Sequence, residues 1–393
     1  MKLRDEIKNA MNKSEVTLAV FADFSKAFDT VDYRILLRHL SNLGLSKQFL
    51  HLIGNYLSNR KQYVQVDDKL SERLEIQFGV PQGSILGPVL FNLYVTTIIT
   101  NGPSNYLLYA DDTTLLRFSK IKDLPATVKS LQQEMDNINN WSANNNLCLN
   151  SKKMKMMVFS TRQLSKFHKL DQLNTTIKSN NQELEQVKSF KILGVHFNEN
   201  LDWKNHINIV SKNCYATLKA LKQLKNSANW NLRKILVEAL VLSKINYCNL
   251  LLSDAPKYQL KRLQKIQNAA AGFVYKRHAN IQDVLNLRWL PVEESIDSAL
   301  AKAGHKAIHD ENWPSYLRLS LIVPSTKHLR SMKDSSFKID AYRALYGSFA
   351  HDSARCFNDL PESIRKIETK LKFNAECYKY YFDKATAKSY SIY

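Results

Sequence analysis

Tyr109-Ala110-Asp111-Asp112 sets two carboxylates side by side, between Ser104-Asn105-Tyr106-Leu107-Leu108 and Thr113-Thr114-Leu115-Leu116. These apolar, aromatic and β-branched flanks read as a hairpin with the acids at its tip. Adjacent carboxylates repel, so they titrate upward or turn to solvent. A divalent cation reverses that cost, because hard oxygen ligands are what Mg²⁺ takes. A solvated turn would also explain the tetrapeptide, so the chemistry depends on its company. A third acid, Asp23, ends the apolar run Val16-Thr17-Leu18-Ala19-Val20-Phe21-Ala22, the pattern of a strand buried on both faces. A helix N-cap is the plainer explanation of an acid there. If both elements share a sheet, three carboxylates meet, and unpaired buried charges cost on the order of several kcal/mol each. With two Mg²⁺ ions the cluster gains a use: an attacking hydroxyl ionises more easily and the leaving phosphate oxygens are stabilised. Lys153 is placed to neutralise a triphosphate or protonate the leaving pyrophosphate, or to be simply a solvated lysine.

Elements that must position these groups are legible on either side. Leu36, Leu37, Leu40 and Leu43 mark one amphipathic helix ending at Gly44, and Phe49, Leu50, Ile53, Tyr56 and Leu57 a second. Residues 63–66 and 74–78 alternate and are expected to pair as a hairpin. Gly79-Val80-Pro81-Gln82-Gly83-Ser84 then leads into a helical run over 85–99 carrying Leu86, Val89, Leu90, Leu93 and Tyr94. Two glycines and a proline before a helix let backbone approach a ligand closely, or make only a tight turn. Leu124, Val128, Leu131, Met135, Ile138 and Trp141 form the clearest amphipathic stripe, read as core. Strand, helices, hairpin, helix and the strand 156–159 amount to a βαββαβ plan, an α+β sheet with helices on one face. Beyond residues 188–202 the pattern turns helical, over about 203–226, 230–252, 256–279 and 291–310. Lys219, Lys222 and Lys225, then Lys257, Lys261, Arg262 and Lys265, crowd two of these stretches, either to grip phosphates or to be solvated.

A chain of 393 residues is long enough for two or three domains, and 44% hydrophobic content with 18 Tyr and 17 Phe argues for a folded protein rather than a disordered one. The net charge of +20 makes a polyanion the default partner, with aromatics interleaved among the bases. Five cysteines without CxxC spacing suggest neither a zinc site nor a disulfide framework, which fits the reducing interior of a cell. The charged opening Met1-Lys2-Leu3-Arg4-Asp5-Glu6 is no signal peptide, and no run approaches a membrane span. An intracellular protein of nucleus or cytoplasm is expected, not a secreted one.

Phe21-Ala22-Asp23-Phe24-Ser25-Lys26-Ala27-Phe28-Asp29, the Gly79–Ser84 segment (79–84) and Tyr109-Ala110-Asp111-Asp112 resemble motifs A, B and C of reverse transcriptases. The Ser-Lys-Ala-Phe-Asp and Pro-Gln-Gly-Ser wording is similar to non-LTR, Jockey-like retrotransposon polymerases. Leu149-Asn150 with Lys153 resembles motif D, and Leu193-Gly194-Val195 the primer-grip hairpin, motif E. Ala354-Arg355-Cys356-Phe357-Asn358-Asp359-Leu360-Pro361 is similar to a segment near the C-terminus of such elements, with Cys356 where Trp is usual. The resemblance implies an α+β polymerase palm over 1–188, a primer-grip hairpin and helical thumb over 189–280, and a C-terminal helical region over 281–393. It implies Asp23, Asp111 and Asp112 as ligands of two Mg²⁺ ions, with Mn²⁺ as a substitute and the Phe24 carbonyl assisting. Phe28 would be the steric gate against a ribose 2′-OH, and equally a core aromatic. Gln82, Gly83 and Tyr109 would contact nucleotide and template, while Lys153 would act on the triphosphate. The implied activity is RNA-directed DNA polymerisation on an RNA template and DNA primer, with dNTPs.

Only 22 residues precede Asp23, so the family's fingers subdomain and upstream endonuclease are expected to be missing and polymerisation by this chain impaired. A non-catalytic nucleic-acid-binding remnant of a retroelement is the alternative from a different class. A nucleotide cyclase shares the palm, but its Gly-Gly-acidic-acidic-Phe hairpin is absent here.

Overall fold

In the computed structural model, which describes residues 1–99, 102–321 and 347–390, the chain forms two compact units. One is Lys13–Lys188; the other joins Met1–Asn12 to Ser189–Tyr393. The expected C-terminal region over 281–393 includes 322–346, outside the described residues.

The sheet unit is built on β1, Val16–Ala22, in which all seven residues are buried. Both edges of β1 are paired antiparallel. Strand β3, Asp112–Ser119, runs alongside from Val16↔Ser119 to Ala22↔Thr113, and β4, Lys155–Phe159, from Thr17↔Phe159 to Phe21↔Lys155. Strand β2, Asn105–Tyr109, joins β3 as a hairpin, and β5, Glu185–Gln186, adds a parallel edge beside β4. The resulting order, β5-β4-β1-β3-β2, is that of a βαββαβ sheet with one extra edge strand.

Val16, Leu18, Val20 and Ala22, alternate residues on one face of β1, join a buried cluster with side chains of four helices. These are α2 (Tyr33–Asn42), α3 (Lys47–Leu57), α4 (Leu86–Val95) and α5 (Leu124–Asn144). Leu131, Met135 and Ile138 of α5 are fully buried, as the stripe predicts. Asp32 caps α2 by accepting from Arg34 N and Ile35 N, and Ser46 caps α3 by accepting from Phe49 N.

Three local expectations need correction. Leu43 and Phe49 lie on the outside: Leu43 is the C-cap of α2, past its last helical turn, and Phe49 is on the exposed side of the first turn of α3, where Leu50 packs on the core instead. In α4 the buried face is Gly87, Leu90, Phe91, Tyr94 and Val95, while Leu86 and Val89 are exposed. A helix that is apolar all round carries no polar face to set its phase. The 58–78 segment is a nested ribbon rather than a regular hairpin. Lys61–Gln62 pairs with Leu74–Glu75, Gln65–Val66 pairs with Lys69–Leu70, and the last rung is a single bond from Ile76 N to Arg60 O at 2.9 Å.

The helical unit opens on a hairpin of β6 (Ser189–Ile192) and β7 (Val195–Asn198), turned by Leu193 and Gly194, both at positive φ. Helices α6 (Lys204–Leu221), α7 (Lys257–Tyr275) and α8 (Val292–His309) follow. Helix α8 packs on α9 (Phe349–Asn358) and α10 (Lys370–Tyr390). The single helix expected over 230–252 is broken. Trp230–Val237 runs into a π turn over Glu238–Leu242, and left-handed Cys248 ends the run. Helix α1, Lys2–Asn12, belongs to this unit: fully buried Arg4 donates to Leu251 O at 3.0 Å, and Asp5 accepts from Phe349 N at 3.2 Å. Cys356 is buried and donates its thiol to Asp297 at 3.3 Å.

Candidate active site

Asp23 follows directly on β1, and the register that sets Ala22 opposite Thr113 makes Asp112 its neighbour across the strand pair. Its main chain is fixed from the other side: Asn150 N donates to Asp23 O at 2.9 Å, and Phe24 bridges to Leu149. The β2–β3 turn is two residues long, with Tyr109 opposite Asp112 and Ala110 at φ +52, as primed hairpin turns require. Asp111 and Asp112 therefore stand at the tip, beside the end of β1. The acids reach one locality because the central strand and the hairpin are neighbours.

Electrostatics record that proximity. Burial, then the charge of Asp111, then that of Asp23, push the Asp112 carboxyl above the usual carboxylate range. Asp23 Oδ2 is shielded from solvent and accepts no hydrogen bond. Lys153 Nζ stands 3.4 Å from that oxygen, a distance that makes an ion pair without hydrogen-bond geometry, and its side chain is 68% exposed. Lys153 gets there through a tight turn in which Lys153 N and Met154 N both donate to Asn150 O.

Hard oxygen donors under mutual repulsion, one of them buried without a hydrogen bond, suit a divalent cation. Among the described residues, no three Asp, Glu, His or Cys side chains stand close enough to wrap one ion. The donor set fits a metal, and the side chains would have to rotate inward to hold it.

Beyond the acids, Lys26 at φ +50 turns the chain into a short 3₁₀ segment, Ala27–Asp29. There Phe28 stacks on Phe91, centroids 4.3 Å apart and planes 27° apart, with its own side chain half-buried. Gln82 Nε2 donates to Asp29 Oδ1 at 2.7 Å. Main-chain bonds from Gly79 N to Val31 O and from Val80 N to Phe28 O, both 2.8 Å, dock the glycine loop onto this segment. Gly79 has φ +90, and a Cβ there would meet Asp29 O at 2.8 Å. Gly83 has φ +80 and open space where a Cβ would be. Tyr109 is 66% exposed.

The fold thus sets Asp23, Asp111, Asp112 and Lys153 at one end of the sheet, with Tyr109 on the same hairpin as Asp111 and Asp112. Phe28 and Gln82 come together around Asp29. No hydrogen bond joins Gly83 to the acids among the described residues. Sequence reasoning missed Phe91 and Asp29 as partners. Phe91 shares the i, i+3, i+4 spacing of Gly87, Leu90 and Tyr94, a signal hidden by the uniformly apolar helix. Asp29 gave no signal apart from its place in the Ser-Lys-Ala-Phe-Asp run.

Comparison with known proteins bears on this arrangement. Residues 1–197 match the family described as reverse transcriptase (RNA-dependent DNA polymerase). The RNA-directed DNA polymerase from mobile element jockey of Drosophila melanogaster is 28% identical over 206 residues, covering 50% of this chain and 21% of that protein. The probable RNA-directed DNA polymerase from transposon BS, also of Drosophila melanogaster, is 26% identical over 311 residues, covering 75% and 33%. The chain therefore spans about a fifth to a third of the length of these relatives. Telomerase from Candida tropicalis, solved with a fragment of telomeric RNA, aligns over 81% of this chain and 51% of its own at 10% identity. Its TM-score of 0.38 adds nothing to the assignment. Members of the matched family depend on a divalent metal, in keeping with the acids at the strand ends. With half its length inside that family, the chain belongs to the reverse transcriptases, and these relatives are proteins of mobile elements.

Proposed function

We propose that the chain adds dNTPs to a DNA primer on an RNA template, with Asp23, Asp111 and Asp112 holding two Mg²⁺ ions. The observation that carries this reading is the loaded tip: Asp112 is driven upward by burial and by two neighbouring carboxylates, while Asp23 Oδ2 has no hydrogen bond. When bound, the ions would supply charge neutralisation for the triphosphate and acidify the attacking 3′-hydroxyl.

The chain's own groups do the rest. Asp23 and Asp111 orient the reacting oxygens, with Asp112 beside them and the Phe24 carbonyl adding an uncharged donor. Lys153, now the close cation of Asp23, turns to the triphosphate and gives its proton to the leaving pyrophosphate oxygen. Phe28, braced by Phe91, blocks the space a ribose 2′-OH would need. Gln82, Gly83 and Tyr109 line the nucleotide and template side, Gln82 steadied by Asp29. RNA, a DNA primer and dNTPs are the partners, which places the work inside the cell. No helix among the described residues is long and apolar enough to cross a membrane.

The test is metal-dependent stabilisation read beside incorporation. A site filled to ten times its Kd gains about 1.4 kcal/mol. Mg²⁺ is expected to raise the thermal midpoint of the wild type and not that of Asp111→Asn. Incorporation of dTMP on poly(rA)·oligo(dT) is expected to be weak from the wild type, as the impairment read from the sequence implies, and absent from the variant. Measurable incorporation that is equal in both proteins, or a wild type whose midpoint Mg²⁺ leaves unmoved, overturns the assignment.

A further inference from the structure

A second site lies wholly within the helical unit. Tyr215, Leu218, Lys219 and Lys222 recur at three- and four-residue steps, so they share one face of α6 and its continuation. Lys265, Asn268, Ala269 and Gly272 do the same on α7. The two faces converge on a cavity of about 790 Å³. Lys219, Lys222, Lys225 and Lys265 form its rim, buried Leu218 and Phe273 lie in its floor, and half-exposed Tyr215 stands at its edge.

No acidic side chain lines the cavity, and no carboxylate pairs with any of these four lysines among the described residues. Arg277, also at the wall, is already held by Asp283. Four like charges around one concavity repel one another, and a polyanion relieves this. A pure polyanion has no use for the apolar floor. A duplex keeps its bases stacked inside, so it offers the lysines phosphates and the floor nothing. One chemistry meets both: a strand whose phosphates and base faces are exposed together.

We infer that this cavity between α6 and α7 binds single-stranded nucleic acid, with the lysine rim on successive phosphates and a base laid on Tyr215 and the Leu218–Phe273 floor. The site is separate from the carboxylates of the sheet unit and does not depend on their role.

The probe is a fluorescein-labelled twelve-nucleotide oligo(U), followed by anisotropy on the full chain in EDTA. Three lost phosphate contacts lower the log–log salt slope by about 2 and weaken binding about fifty-fold at 150 mM salt. That is the result expected for Lys219→Gln combined with Lys222→Gln and Lys265→Gln. Lys120→Gln with Lys129→Gln and Lys166→Gln, equal in charge and on exposed positions of the sheet unit, is expected to stay within about threefold of the wild type. Tyr215→Ala should cost at least about fivefold for oligo(U) and leave inorganic polyphosphate binding unchanged. Equal loss in the two triple variants overturns the proposal. So does displacement of oligo(U) from the wild type by polyphosphate, or by a twelve-base-pair duplex, as well charge for charge as by unlabelled oligo(U). Competition on the wild type needs no variant, so it decides even if the triple variants fold poorly.

Discussion

Gly79 and Gly83 lie in one loop with nearly the same left-handed backbone, φ +90 and +80, and differ in the room beside them. A Cβ at Gly79 would lie 2.8 Å from Asp29 O and 2.9 Å from Asp29 Cα, main-chain atoms that cannot swing aside; at Gly83 it would meet nothing within 4 Å. Alanine at either position takes on the left-handed penalty, roughly 1–2 kcal/mol. At Gly79 the forced shift of the Asp29 backbone adds roughly 1–3 kcal/mol, the scale of overpacking. The Val80 amide, which donates to Phe28 O at 2.8 Å, reports whether loop and segment stay docked. Its hydrogen exchange is expected to run about five- to 150-fold faster in Gly79→Ala than in Gly83→Ala, at tenfold per 1.4 kcal/mol. Gln82 and Asp29 should separate in the same variant. Equal exchange in the two variants, or wild-type exchange in Gly79→Ala, would refute the claim that close backbone approach reserves position 79 for glycine.

Two further outcomes follow from the helical unit. Burial, and secondly the neighbouring His196, lower the pKa of His206 to about 4. The unfolded chain then binds a proton below about pH 6.5 that the native state refuses, so stability falls as pH drops from 6.5 to about 4, by roughly 3 kcal/mol. Urea unfolding followed by Trp203 fluorescence should show this slope in the wild type and a flatter one in His206→Gln; parallel profiles would contradict it. Tyr247 donates its hydroxyl to Leu193 O at 2.7 Å, and its ring lies 3.0 Å from where a Cβ on Gly194 would sit. Tyr247→Phe is expected to loosen the β6–β7 turn by about 0.5–1 kcal/mol and Gly194→Ala by more. Exchange at the Val195 amide measures both, and no change in either variant would count against the brace.

The strands were legible where burial demanded an unbroken apolar run. Val16–Ala22 declared itself because both its faces are covered, and α5 because its other face is polar enough to set the phase. Helix α4 hid its orientation for the opposite reason, with apolar side chains on every side. The π turn over Glu238–Leu242 has no period of its own, so 230–252 read as one helix. Among the candidate site residues, the acids stood out because paired carboxylates at strand ends have few structural uses. Phe91, which stacks on Phe28, and Asp29, which holds Gln82, are ordinary residues whose role arises only from three-dimensional contact.

One feature of β1 constrains how such a chain can vary. The strand is clamped along both edges, and successive residues point to opposite sides. Losing or gaining one residue between Val16 and Asp23 would exchange the two faces and swing the acid away from the hairpin tip, even if every remaining side chain stayed apolar. The segment works as a ruler more than as a recipe: isoleucine for valine is a small matter there, whereas a single-codon deletion would part Asp23 from Asp112 while leaving both motifs readable.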